Sequence, residues 1–146
     1  MNKAESADLI MKLYDLRREP TMREARKWFA TFIPESIEEI VQAVIDENTS
    51  PYYRMVLGYW EMAAGFVIHG AIDEEMFNDA NGEHITVFSK IEPYLNELRE
   101  LWKFPKMLKN FETLIMNMPD AKALLAERRE TVKGWVKARA EEAKAG

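Results

Sequence analysis

The chain has 146 residues and no cysteine, which excludes disulfides and thiolate metal sites and favours a reducing, cytoplasmic setting. Its length is enough for one domain with a sizeable core, and 47% hydrophobic with 31% charged residues is typical of a globular rather than a disordered protein. A formal net charge of −5 argues against nucleic-acid binding, which needs a concentrated basic face.

This charge is unevenly distributed. Residues 1–30 carry a net +2, residues 31–100 a net −11 and residues 101–146 a net +4. Basic ends can neutralise an acidic middle within one chain, if the terminal helices pack beside the middle ones, or they can do so between subunits. The sequence leaves both arrangements open.

Helical spacing begins near the N-terminus. The first apolar residues recur at intervals of four and three, at Leu9, Leu13 and Leu16. Pro20 marks the first turn of a second helix, where the missing N–H costs nothing. Ser36 and Glu39 have the spacing of a capping box, in which a hydroxyl and a carboxylate each accept a hydrogen bond from an N–H at the helix start.

The most apolar helix is predicted at about residues 51–69. Ser50 is a good N-cap, Pro51 fits the first helical position, and Gly70 fits the left-handed residue that ends many helices. The helix is apolar on nearly all sides, which indicates neighbours on several sides. Glu61 and His69 interrupt it, so we expect a buried helix rather than a membrane span, and no membrane association.

Three prolines divide the second half of the chain. Pro93 lies inside a helical stripe and predicts a kink or a restart, Pro105 is expected to open another helix, and Pro119 breaks it. Asp120 is then placed to cap the last helix. The tail at about 138–146 has no large apolar residue and is expected to fray.

No segment alternates for long enough to indicate a strand. The sequence therefore predicts an all-α fold, a single-domain bundle over residues 1–146 of about six or seven helices around the central apolar helix at about 51–69.

The segment 69–88 holds both histidines and five carboxylates. Asp73 is placed to cap a short helix, and most of the other acids fall in first turns, where they interact favourably with the helix dipole. A calcium loop with Gly82 at its sixth position would need ligands where Phe77 and Phe88 stand, so that site is rejected. The spacing also matches no transition-metal motif, and we expect no metal and no cofactor.

Candidate ligand-binding residues are Glu61 and His69, two turns apart near one helix face, with Tyr59 or Arg54 as a further polar group. A buried glutamate facing a histidine is a possible acid–base pair. The structural alternative is a satisfied polar pair in a helical core, or an ion pair of Glu61 with Arg17, Arg18 or Arg54.

One stretch resembles a bacterial family of small all-helical proteins catalogued as a domain of unknown function. The resemblance covers about residues 54–102, and a Trp often stands in that family where this chain has Phe88. It implies an all-helical domain and no particular activity, cofactor or catalytic residue. The matching positions are Gly70, Ile72-Asp73-Glu74-Glu75, Phe77, Gly82, Ile85, Phe88, Glu92-Pro93-Tyr94 and Arg99.

Two functions follow as hypotheses. The first is a non-enzymatic helical interaction or regulatory module that associates with itself or with a protein partner, because the charge is segregated and large apolar residues are many. The second is an enzyme or small-ligand-binding protein with an inter-helix pocket that uses Glu61 and His69. The second requires both side chains to face one cavity open to solvent.

Overall fold

The computed structural model describes residues 2–146, and this part of the chain contains helices and no strand. The all-α prediction is confirmed. The described residues form nine α-helices, with a 3-10 turn at Glu92–Tyr94 between the sixth and the seventh: α1 (Lys3–Arg17), α2 (Pro20–Thr31), α3 (Ile37–Ile45), α4 (Ser50–Ile68), α5 (Glu74–Ala80), α6 (Glu83–Ile91), α7 (Leu95–Leu101), α8 (Lys109–Met116) and α9 (Ala121–Ala145).

Several helices begin where local capping chemistry predicts. Ser36 Oγ accepts from the N–H of Glu39 at 3.3 Å, and Asp73 accepts from the N–H of Met76 at 2.9 Å. The Glu39 carboxylate accepts from the N–H of Glu35 rather than from that of Ser36, so the predicted capping box is shifted by one residue on that side.

Helix α4 occupies the predicted position, with both ends one residue earlier than expected. Its N-cap is Thr49 rather than Ser50, and the Thr49 hydroxyl donates backwards to the carbonyl of Ala43 at 2.6 Å instead of capping the helix. At the other end Gly70 has a φ of 85°, and the N–H of Ala71 donates to the carbonyl of Phe66 at 2.8 Å. The predicted left-handed C-terminal glycine is confirmed.

Most of the buried apolar side chains of the described residues form one core, to which all nine helices contribute. Helix α4 packs against α2, α3, α5 and α8, and α6 packs against α8 and α9. Aromatic residues make up much of this core, and the largest fully buried ones are Trp60, Phe29, Phe77, Phe88 and Phe111. No helix of the described residues is long and apolar enough to cross a membrane.

Three predictions about the number and the starts of helices were wrong or incomplete. The number of helices in residues 2–146 exceeds the six or seven expected, since the chain between Gly70 and α9 forms four short helices, α5 to α8. Pro105 does not open a helix, because the chain stays in turns until α8 begins at Lys109. Asp120 stands directly before α9 with a φ of 51°, yet its side chain makes no capping hydrogen bond. The predicted restart at Pro93 is confirmed by the 3-10 turn.

Candidate functional site

Glu61 holds the start of α8. Its carboxylate accepts from the side-chain amide of Asn110 at 3.0 Å and from the backbone N–H of Phe111 at 2.9 Å. Leu108, at the N-cap of α8, is apolar and cannot satisfy these N–H groups itself. The partner of Glu61 is therefore the first turn of another helix, and not one of the arginines considered from the sequence.

The other three predicted site residues, Tyr59, His69 and Arg54, form no hydrogen bond with Glu61. The buried hydroxyl of Tyr59 donates to the carbonyl of Leu13 at 3.0 Å, and burial raises the pKa of Tyr59 to about 12. His69 is exposed at the end of α4, and Arg54 is exposed with its Nε 3.5 Å from the carbonyl of Ser50. Within the described residues, no hydrogen bond joins any two of the four.

A pocket of about 350 Å³ lies between α2, α6 and α9, and this is the size of a small-ligand site. None of the four residues considered from the sequence lines it. Its apolar wall is formed by Phe29, Val56, Val87, Val132, Trp135 and Val136.

One face of α9 forms a whole side of this pocket. Arg128, Val132, Trp135, Val136 and Arg139 all line it, at the spacing that places residues on one helix face. An arginine stands at each end of the face and apolar side chains lie between them. Trp135 is half-exposed, so the pocket opens to solvent along this face.

A cluster of three charges joins α1, α2 and α6 beside the pocket. Arg26 donates to both carboxylate oxygens of Glu83, at 2.9 and 2.8 Å, and Arg17 donates to the same carboxylate at 3.3 Å. Burial alone would raise the pKa of Glu83, but the hydrogen bonds and positive charges of Arg26 and Arg17 outweigh it and lower the pKa. The Glu83 carboxylate is therefore ionised, and the two arginines beside it balance its negative charge.

Lys90 is buried on α6 and holds the end of α2. Its Nζ donates to the carbonyls of Phe29, at 2.6 Å, and Ala30, at 3.3 Å. These carbonyls lie in the last turn of α2, where the helix dipole favours a cation. Burial lowers the pKa of Lys90 to about 8, with Glu83 opposing this shift and the charge of Arg139 adding to it.

His84 is fully buried behind the pocket. Its ring stacks on Trp60 at a centroid distance of 5.4 Å, and its Nε2 lies 2.9 Å from the side-chain oxygen of Asn78. Burial, together with the positive charges of Arg128 and Arg17, lowers the pKa of His84 to about 4. The ring is therefore neutral at pH 7 and serves as a packed aromatic group. Within the described residues no cluster of three or more His, Asp or Glu could hold a metal ion.

Comparison with known proteins places this architecture in a family. Residues 3–118 match the family described as Domain of unknown function (DUF4760). The chain belongs to this family. The resemblance seen in residues 54–102 is confirmed and extends over most of the chain. No curated protein and no solved structure matches the sequence.

In this DUF4760 member the pocket is lined partly by residues inside the family match and partly by residues beyond its end. Helices α2 and α6 lie within the family match, whereas α9 begins at Ala121, beyond its end. The sequence did not predict this pocket, because its lining comes from helices that are distant in the chain and meet only in the folded molecule. Two signals were available in the sequence: the stripe of apolar residues between Arg128 and Arg139, and a lysine at position 90 close to Val87, Phe88 and Ile91.

Proposed function

We propose that this chain is a non-enzymatic helical binding module that takes a small ligand with an apolar body in the pocket between α2, α6 and α9. The observation that carries this proposal is the pocket itself, about 350 Å³ in volume and lined by six apolar side chains from α2, α4, α6 and α9. Pockets of this size and lining are typical of small-molecule sites.

The polar groups of the pocket favour binding over catalysis. Arg26 and Glu83 are bound to each other, and Lys90 is bound to two backbone carbonyls. These bonds hold α2 and α6 together, which fixes the shape of the pocket before a ligand arrives. A pre-formed site of this kind loses little freedom on binding.

We further propose that α4 is the central helix of the bundle, as its apolar sequence predicts. Nine of its 19 residues are buried, and it packs against four other helices. Val56 of this helix is fully buried and lines the pocket, so the pocket lies against α4. The same helix holds Glu61 and Tyr59, which act here as structural residues.

The test is a titration with an uncharged apolar probe, 1-octanol, followed by tryptophan fluorescence and calorimetry. We expect saturable binding with a stoichiometry of one. The variant Val136→Trp fills the mouth of the pocket and should abolish this binding, whereas Lys137→Trp, on the exposed side of the same helix, should leave it unchanged. Binding that does not saturate, or that survives Val136→Trp, would contradict the proposal.

Self-association is a second candidate, favoured by a separate observation. Met62 and Phe66 lie one turn apart on the outer face of α4, and they are 40% and 41% exposed. Single exposed apolar side chains are ordinary on protein surfaces, but these two adjoin on one helix face and together form a small apolar patch that a second copy could cover. We propose that two copies of the chain pair through this face.

Sedimentation velocity over a range of concentrations tests this pairing. The unmodified chain should be dimeric, and Phe66→Lys should make it monomeric. Met11→Lys is the matched control, because Met11 is exposed on a different helix and its replacement should leave the dimer intact. A monomer at every concentration would rule out self-association through α4.

A further inference from the structure

The charges around the pocket have the opposite sign to the protein as a whole. The chain carries −5, yet the pocket is lined by Arg26, Lys90, Arg128 and Arg139 and by a single acid, Glu83. The charge of that acid is matched twice, by Arg26 and by Arg17. The remaining positive charge is concentrated in a partly enclosed space, where electrostatic attraction is stronger than in open water.

Arg128 is the cation best placed to receive a ligand. One of its Nη atoms donates to the hydroxyl of Thr86, at 2.8 Å, and to the carbonyl of Gly82, at 3.3 Å. These two bonds fix the half-buried guanidinium at the pocket wall. Within the described residues Arg128 makes no ion pair, although a guanidinium has five N–H donors.

The start of α6 adds to this potential. Gly82 is the N-cap of α6, and its carbonyl accepts the bond from Arg128. A glycine has no side chain with which to cap the helix, and the N-terminus of a helix attracts negative charge. An anion held by Arg128 would therefore also lie beside the positive end of the α6 dipole.

We propose that the ligand of this pocket is a small amphipathic anion, a carboxylate on an apolar body, with its head on Arg128 and its body on Val132, Trp135 and Val136. This inference rests on the proposed binding function and adds the chemistry of the ligand. A water molecule takes up ~30 Å³ in the liquid, so a pocket of about 350 Å³ has room for on the order of ten groups of that size. Octanoate has this size and is the probe.

Three probes of equal chain length separate the contribution of the head from that of the body. Octanoate, 1-octanol and octylammonium are titrated below the concentrations at which they aggregate. We expect octanoate to bind about tenfold more tightly than 1-octanol, which is the order expected of a charge-assisted hydrogen bond, and octylammonium to bind most weakly. The octanoate preference should fall as salt is added, because salt screens partly exposed charges.

Substitutions on α9 test the role of Arg128. Arg128→Met keeps the apolar stem and should reduce octanoate binding to the level of 1-octanol while leaving 1-octanol binding intact. Arg128→Lys retains the positive charge and should retain part of the preference. Lys137→Met removes a charge from the exposed side of the same helix and is the matched control, with no effect expected.

The outcomes distinguish this inference from the binding proposal beneath it. Equal affinity for octanoate and 1-octanol would overturn the anion inference and leave the apolar pocket in place. Tighter binding of octylammonium would overturn it as well, as would an Arg128→Met variant that weakens both probes equally. If none of the three alkyl probes saturates, both the inference and the binding proposal fail.

Discussion

At the scale of single residues, Glu61 shows that one helix can supply the cap of another. The N-cap position of α8 holds Leu108, and the acceptor for the N–H of Phe111 comes from α4. We expect Glu61→Ala to lower the free energy of unfolding by about 1–2 kcal/mol, because buried N–H groups lose their acceptor. Urea denaturation measures this change.

Two further variants give this prediction its controls. Glu61→Gln keeps one acceptor oxygen and should lose less stability than Glu61→Ala. His69→Ala alters an exposed side chain at the end of the same helix and should change stability by less than about 0.5 kcal/mol. Equal losses for Glu61→Ala and His69→Ala would show that the contact with α8 contributes nothing.

His84 should make the protein sensitive to mild acid. Its pKa is about 4 in the folded chain and near 6.5 when unfolded, so the unfolded chain binds the proton more tightly. Between pH 6.5 and 4, stability should therefore fall as the pH falls, by on the order of 2–3 kcal/mol from this group. Thermal unfolding measured at intervals of pH records the loss.

The variant His84→Gln isolates this contribution. Glutamine stays neutral over the whole range and can still form a hydrogen bond with Asn78. The loss of stability between pH 6.5 and 4 should therefore be smaller in this variant. Glu83 contributes little to the loss in this range, because its lowered pKa means that its stabilising charge is lost only as the pH falls from the ordinary glutamate range through the still lower folded value. An unchanged pH profile in His84→Gln would show that the histidine is not the sensor.

At the scale of elements, the glycine inside α4 and the glycine just after its end should respond oppositely to replacement by alanine. Gly70 has a φ of 85°, which alanine adopts only with strain, so Gly70→Ala should cost about 1 kcal/mol. Gly58 lies inside the helix with nothing within 4 Å of an added Cβ. Gly58→Ala should therefore stabilise the fold by about 0.5–1 kcal/mol. Chemical denaturation of both variants checks the pair, and the same sign for both would contradict this account.

Helix starts and stops were predictable where the signal is local. Ser36, Asp73, Pro20 and Gly70 act within four residues of themselves, and the structure places each as the sequence indicated. The start of α8 was not predictable, because Leu108 has a left-handed φ of 53° that no local glycine signals. Its geometry depends on contacts from distant parts of the chain.

The connection between α7 and α8 illustrates such a contact. The Arg99 guanidinium donates to the carbonyl of Met107, at 3.0 and 2.7 Å, and to the carboxylate of Glu112 at 3.0 Å. These bonds hold the turn that contains Pro105 and delay the next helix until Lys109. The contacts of Glu61 could not be predicted for the same reason, since its partners lie about 50 positions further along the chain.

At the scale of the whole molecule, part of the charge segregation is resolved within the chain. Glu83 of the acidic middle binds Arg17 and Arg26 of the basic N-terminal region, and Glu92 pairs with Arg129 of the basic C-terminal region. The sequence showed that the charges were separated, but only the packing of α1, α2 and α9 beside α6 shows which of them meet. The pocket arises from the same packing of distant helices. For this reason it could not be predicted from the sequence.

The same packing predicts that α9 belongs to the domain although it lies outside the family match. Leu125 and Val132 of this helix are buried, and Arg129 donates to the carbonyl of Ser89 at 2.9 Å. Ending the chain after Asp120 should lower the free energy of unfolding by at least about 3 kcal/mol, since each apolar side chain contributes about 1.5–3 kcal/mol on burial. Urea denaturation of the shortened chain gives the value.

A second truncation, after Lys137, provides the control and tests the predicted fraying of the tail. Residues 138–146 are helical as far as Ala145 but exposed throughout, so they add little burial to offset the cost of ordering them. Their removal should change the stability by less than about 0.5 kcal/mol, and their amides should exchange fastest within α9. If ending the chain at Asp120 were equally harmless, the core would close without α9, and residues 1–146 would not form the single domain that the sequence predicts.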